Sequence, residues 1–254
     1  MKIKKILALS LALITAVSIS TGCGSKKQIV MATNAEFPPF EYITDKGLIG
    51  EFSGIDIAIS LEIADKLGKE LKVENMQFTS VLAAVPSGNA DFAAAGMTAD
   101  DERRESMDFS IPYFTAVQYI IVKGDNDSIA FAGDIVDKRV GVVQGYTGEK
   151  VCIDDLKVTN LMSYKSGMEA VADLKLDRLD VVVIDSHTAL AMVNLNPELK
   201  IVEDSAAFES EQYAIAVKKG NTELLNTINE VLQDLIDSGK LNEFVATYTK
   251  ETME

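Results

Sequence analysis

Val140-Gly141-Val142-Val143-Gln144-Gly145-Tyr146-Thr147-Gly148 reads as a short apolar strand, a glycine-rich turn and the opening of a helix. A short apolar run bounded by turn residues is the pattern of a strand buried on both faces. The same unit recurs downstream. A strand near Leu161 precedes a helix over 168–176, and the strand 181–184 (VVVI) precedes a helix from Ser186. Upstream, 29–33 (IVMAT) is a buried strand, and Ile55, Ile59, Ile63 and Leu67 recur every four residues as the apolar stripe of a helix that Gly68 stops. Strand 71–73, a helix capped by Thr79 or Ser80 and running to about Ser87, and a short strand 92–95 follow. Thr98-Ala99-Asp100-Asp101 has capping-box spacing with Asp in place of Glu, which predicts a helical turn starting near Thr98. The tail, 222–238 and 240–248, reads as two helices.

Strands alternating with helices predict parallel sheets covered on both faces. Two such series lie either side of the long apolar strand 117–122. The expected fold class is therefore α/β, with two lobes joined by crossing segments and a small-molecule site in the cleft between them. The 254 residues, 47% hydrophobic and 25% charged, exclude a disordered chain and leave room for two cores. With 24 basic against 39 acidic residues the formal charge is -15, and such a surface repels phosphates, so no nucleic-acid partner is expected.

Residues 1–22 are a different kind of sequence. Lys2, Lys4 and Lys5 precede the apolar run 6–19, which is too short for a confident membrane span and suits a secretory signal peptide. Ser20-Thr21-Gly22-Cys23 then resembles a bacterial lipoprotein processing site, although the third residue before the cysteine is usually aliphatic and here is Ser20. On that reading Cys23 is the lipidated first residue of the mature chain, and 23–28 is a tether. Removal of three lysines takes the charge from -15 to -18. Cys152 is then the only other cysteine, so no intrachain disulfide forms. The expected location is the outer face of the cell membrane, of Gram-positive type, held by a lipid anchor.

Catalytic patterns are sparse. One histidine, His187, cannot supply a multi-histidine metal site, and it reads as a surface residue at a helix start. Gly145-Tyr146-Thr147-Gly148-Glu149-Lys150 lacks the spacing of a phosphate-binding loop. Cys152 reads as a packing residue. No enzyme, metal or cofactor is expected from these residues. Two charged positions suggest binding instead. Arg103 opens a helix, where helix amides and a guanidinium fork suit a carboxylate. Asp185 ends the strand 181–184 at the C-terminal sheet edge, where ligands of open α/β sheets gather, and a lone carboxylate there suits an ammonium. Facing across a cleft, the two would match a free α-amino acid. The same residues also read as a surface ion pair of Arg103 with Asp100 or Glu102, and as Asp185 capping the helix from Ser186.

Five stretches in order carry a family resemblance: Ala32-Thr33-Asn34-Ala35-Glu36-Phe37-Pro38-Pro39-Phe40-Glu41-Tyr42, Gly54-Ile55-Asp56-Ile57-Ala58-Ile59, Gly96-Met97-Thr98-Ala99-Asp100-Asp101-Glu102-Arg103, the 140–148 stretch, and Asp180-Val181-Val182-Val183-Ile184-Asp185. From about Ile29 to Tyr248 the chain resembles the family-3 extracellular solute-binding proteins, the amino-acid-binding lipoproteins of ABC importers. Ala58 departs from the usual acidic residue. The resemblance implies a two-lobe type II periplasmic-binding fold with two crossover hinge strands, lobe one at 29–113 plus 213–254 and lobe two at 114–212. It implies that Arg103, with Thr98 and Thr147, takes the ligand carboxylate, that the Gly96 carbonyl accepts the ammonium and Asp185 pairs with it, and that Asn34, Phe37 and Phe78 line the side-chain pocket. The implied function is capture of a free polar L-amino acid by lobe closure, as a monomer, for delivery to the transmembrane subunits of an ABC permease. Arginine or lysine is expected slightly ahead of glutamine, with Glu36 or Glu41 supplying negative charge for a cationic ligand. A cyclohexadienyl-dehydratase-like enzyme on the same scaffold and a sensor acting through a membrane receptor are the alternatives.

Overall fold

The computed structural model describes residues 27–253. Residues 1–22, expected to be a signal peptide, together with Cys23 and most of the expected tether, lie outside the described residues. Each lobe is built on a five-stranded sheet. The first runs, from edge to edge, Glu70–Asn75, Gln28–Thr33, Phe92–Ala93, Ala216–Lys218 and Met107–Phe109. The second runs Asn160–Tyr164, Arg139–Val143, Val181–Asp185, Gln118–Lys123 and Leu199–Val202. The chain passes between them twice, through Phe114–Ala116 and Glu211–Tyr213, which pair antiparallel side by side.

The sheets are mixed rather than purely parallel, which corrects the sequence expectation. Each has a parallel core of three strands. Ala216–Lys218 and Gln118–Lys123 then run antiparallel to their neighbours. Both follow directly on a crossing strand, so they enter their sheets from the hinge side, opposite to a strand delivered by a helical crossover.

The apolar patterning places the core as read. Ile55, Ile59 and Ile63 are fully buried on the helix Ile55–Lys66. Gly68, at φ +64°, ends that helix with its own N–H on the Asp65 carbonyl and that of Lys69 on Ala64, both at 2.9 Å. This is a left-handed Schellman stop that only glycine adopts without strain. The second helix starts earlier than its hydroxyl residues suggested, at Phe78, with Gln77 as N-cap. The next starts later. It covers Asp101–Ser106, and its N-cap is Asp100, whose carboxylate accepts the Arg103 N–H at 2.8 Å. Thr98 does not cap it, because its hydroxyl donates to Glu211 at 2.7 Å and its backbone bridges Tyr213. No helix among the described residues is long and apolar enough to cross a membrane.

Candidate functional site

The lobes touch along one cleft. From the first lobe, Gly96 follows Ala94 and Ala95, which leave the short strand Phe92–Ala93. Gly96 sits at φ +53°, and a Cβ on it would lie 2.3 Å from a ring carbon of Phe37, so a glycine is required here. Its N–H donates to Asp56 Oδ2 at 2.9 Å, and the next turns are tied to the crossing strand by Ala99 N–H to Gln212 O and Ala214 N–H to Met97 O. That pinned loop delivers Arg103.

The Arg103 side chain is only 9% exposed. Its guanidinium donates to Thr98 O at 2.8 Å and, across the cleft, to Gly145 O at 3.0 Å, while its carbon centre lies 5.2 Å from the Phe78 ring centroid. Two of its N–H groups are thus committed, and the remaining ones of the fork stay available to a carboxylate. Burial lowers its pKa, opposed by the nearby carboxylates of Asp100, Glu211, Asp185 and Glu102. The ion pair with Asp100 is long, 3.9 Å to Nε. Because Asp100 already occupies the Arg103 N–H, and the helix is only six residues long, the helix-amide part of the expected carboxylate site is not supported.

From the second lobe, the all-buried strand Val181–Asp185 brings Asp185 to its C-terminal end. Asp185 is the positional N-cap of the following helix, yet its side chain makes no capping bond; it accepts a short hydrogen bond from Tyr213. Burial, then the neighbouring Glu211 charge, raises its pKa to about 7. Glu211 accepts from both Thr98 and Gln118, the latter at 2.9 Å, so one carboxylate from a crossing strand ties the two lobes. Thr147 opens the helix Thr147–Asp154 and lies 3.2 Å from Thr98, hydroxyl to hydroxyl. Lys150 on Glu102, at 2.9 Å, and the Thr188 hydroxyl on Pro38 O, at 2.8 Å, add further bonds across the cleft.

Phe37, Phe78, Gly96, Arg103, Thr147 and Asp185 line one small cavity with Ala95 and Tyr146. Its volume is about 10 Å³, room for about one water. Thr98 lies instead on the adjoining interlobe cleft of about 750 Å³, which it shares with Thr147, Gln118 and Glu211. Asn34 does not line the small cavity: its amide donates to Met76 O at 3.1 Å and accepts the Tyr146 hydroxyl at 2.9 Å. Sequence reasoning missed Tyr146, Ala95, Gln118, Glu211 and Tyr213. Tyr146 and Ala95 were within reach, as the chain neighbours of Thr147 and Gly96; the others come from elements whose place in the cleft only the fold reveals.

Three further readings change or sharpen. His187 is half-buried, with its ring 4.7 Å from Phe114 and 6.4 Å from Phe40, and burial lowers its pKa; it is not a surface histidine. Cys152 is fully buried, and burial pushes its thiol up to about 12. Neither acidic residue expected to help a cationic ligand lines the small cavity: Glu36 is exposed, and Glu41 is wholly buried. Burial and the neighbouring Asp56 hold the Glu41 carboxyl well above the usual range. Asp56 itself rises to about 6 through burial, against the hydrogen bonds from Gly96 and Tyr113.

Three raised carboxyls give the stability a definite pH sign. An acid whose pKa is higher folded than unfolded contributes stability that is present at low pH and is lost as pH rises through the folded value. Here that loss runs from the unfolded carboxylate value of about 4 up to about 6 for Asp56 and about 7 for Asp185. His187, lowered by burial, opposes this below its free value of about 6.5, but as one group against three. The lowered carboxyls Asp108, Asp173, Asp180 and Glu198 act oppositely only in the acid range below the normal carboxylate pKa. Thermal unfolding without added ligand is therefore expected to have a higher midpoint at about pH 5.5 than at about pH 8. Asp185 alone contributes about 2 kcal/mol, roughly 4–8 °C for a chain of this size. A midpoint equal or higher at the alkaline end would contradict these pKa directions.

Two α/β lobes, joined by paired crossing strands and meeting over a buried cation and a buried carboxylate, define the class of two-lobed solute-binding proteins. The chain belongs to the bacterial extracellular solute-binding proteins, family 3, whose model matches residues 29–251. It is 30% identical over 238 residues to the arginine-binding extracellular protein ArtP of Bacillus subtilis (strain 168), covering 88% of this chain and 89% of that protein. Among solved structures it is similar to the amino acid ABC transporter substrate-binding protein AbpA from Streptococcus pneumoniae Canada MDR_19A bound to L-arginine, with a TM-score of 0.84, 34% identity, and 89% and 96% of the two chains covered. An ancestral arginine-binding protein bound to glutamine gives a TM-score of 0.81 and 37% identity, covering 88% of this chain and 98% of that one.

Proposed function

We propose that this protein captures a free polar L-amino acid, of the arginine, lysine or glutamine type, by closing its lobes, and delivers it to the transmembrane subunits of an ABC permease. The observation that carries this reading is that Arg103 and Asp185, from different lobes, line the same small cavity. Arg103 takes the carboxylate, helped by the Thr98 and Thr147 hydroxyls, and Asp185 with the Gly96 carbonyl takes the ammonium. Only closure brings both ends of a zwitterion to their partners, so binding and closure are one event. The moving bodies on this reading are residues 29–113 plus 213–254 and residues 114–212. We also propose that the protein is a monomer without catalytic activity, anchored outside the cell by lipid on Cys23 after removal of residues 1–22. That the names of similar proteins specify amino-acid binding and ABC transport supports the reading.

The test is thermal unfolding of the purified protein with each of the twenty amino acids at millimolar concentration. A ligand that binds only the folded form adds RT ln(1 + [L]/Kd), about 4 kcal/mol at a thousandfold excess. A shift confined to one or a few polar amino acids is expected. No shift with any of them, from protein freed of carried-over ligand by partial unfolding and refolding, sinks the amino-acid reading.

A further inference from the structure

The small cavity is small because Tyr146 fills the space beside it. The Tyr146 ring packs edge-on against Phe78, with centroids 4.7 Å apart, and perpendicular to Phe37 at 5.2 Å. Those are two of the residues that the family resemblance implies line the pocket for a ligand's side chain. The hydroxyl then reaches the Asn34 amide oxygen, 112 residues away in sequence and on the opposite lobe, at 2.9 Å. The slot for a ligand side chain is thus occupied by a side chain of the protein itself, with apolar flanks and one polar terminal contact.

The polarity of that contact follows from its surroundings. Asn34 is 3% exposed, and its Nδ2 donates to the Met76 carbonyl, which can only accept. The reverse placement of the amide would set Oδ1 against that carbonyl oxygen, so Oδ1 must face the slot. A group that replaces the phenol there has to be a donor.

We propose that Tyr146 determines specificity by holding the place of the ligand's side chain: a ligand binds by displacing its phenol from Asn34, which selects amino acids with long side chains ending in a hydrogen-bond donor. The proposal rests on the amino-acid reading above and narrows it. Arginine, lysine and glutamine present donors at the right end; glutamate presents only acceptors to Asn34 Oδ1 and is rejected as an unpaired buried charge. Short side chains leave the phenol in place but find no room beside it. The affinity of any ligand is lowered by the fraction of molecules in which Tyr146 holds the slot.

Calorimetric titrations of the purified protein and of Tyr146→Phe and Tyr146→Ala with arginine, lysine, glutamine and glutamate test this, beside small-angle scattering of each variant without added ligand. Tyr146→Ala is expected to tighten binding of the preferred donor-ended amino acid by tenfold or more. Tyr146→Phe, which keeps the ring but loses the bond to Asn34, should tighten it by a few-fold. Glutamate should bind the parent protein at least a hundredfold more weakly than glutamine. Because Tyr146 bridges the lobes, Tyr146→Ala should also enlarge the radius of gyration without ligand in a variant whose circular dichroism is unaltered; tighter binding beside that change is what a merely structural role would not produce. Unchanged or weaker binding in Tyr146→Ala overturns the proposal, as does glutamate binding as tightly as glutamine. An unchanged radius of gyration overturns it whether or not any amino acid binds. An enlarged radius with no binding by any protein leaves the bridging role of Tyr146 standing and removes the amino-acid reading, and with it the claim about specificity.

Discussion

Arg103→Met is expected to weaken binding of the preferred amino acid by roughly a thousandfold, the largest loss at any single position in the cleft. The reason lies in the burial of the guanidinium. With its side chain 9% exposed and its face near Phe78, the cation has little water, so a ligand carboxylate meets it in surroundings where charges are weakly screened. Truncating one partner of such a pair leaves the other charge buried and unpaired, a cost of about 4 kcal/mol. Arg103→Lys should be intermediate and closer to the methionine variant. A lysine is a point charge and cannot bond Thr98 O, Gly145 O and both oxygens of a carboxylate together. Isothermal titration reads the loss. Thermal unfolding without ligand provides the control, because removal of the bond to Gly145 also costs some interlobe stability. Retention of affinity within tenfold by Arg103→Met would mean that the carboxylate is held elsewhere.

Asp185→Asn carries the second large effect, and its signature is a pH profile. In the parent protein Asp185 titrates at about 7, raised by burial and by Glu211. Only the ionised form neutralises an ammonium, so binding below that pH must first expel a proton. The association constant is then expected to fall by about tenfold for each pH unit below about 7. Titrations in buffers of different ionisation enthalpy should show about one proton released per ligand at pH 6. Asp185→Asn is expected to bind about a hundredfold more weakly at pH 8, to lose the slope, and to release no proton. It should also unfold at a higher temperature than the parent at pH 8 when no ligand is added, because an amide carries no buried charge there. A slope that survives the substitution would assign the proton to another group, with Glu41 and Asp56 the other raised carboxyls.

The sequence made the strand–helix alternation legible because burial on two faces leaves continuous apolar runs such as 181–184, and burial on one face leaves the four-residue stripe of Ile55, Ile59 and Ile63. It did not reveal the antiparallel strands Ala216–Lys218 and Met107–Phe109, each three residues long, since so short a run has no period to read. The helix start near Thr98 was misplaced for a long-range reason: Glu211, 113 residues away in sequence, takes the hydroxyl that the local pattern assigned to a cap. The site divides in the same way. Arg103 and Asp185 were visible because a charge at an element terminus stands out locally. Tyr146 did not stand out, because an aromatic residue beside a glycine turn looks the same in sequence whether it points to solvent or fills a slot on the opposite lobe.

The paired crossing strands have a consequence for the order in which the molecule is made. The second lobe's sheet is complete once residues up to Val202 are present. The first lobe's sheet lacks Ala216–Lys218, an inner strand that separates Phe92–Ala93 from Met107–Phe109, until almost the whole chain has been synthesised. A chain emerging amino-terminus first therefore finishes its later lobe before its earlier one. Its leading half keeps a gap in its sheet, between Phe92–Ala93 and Met107–Phe109, until the last strand arrives.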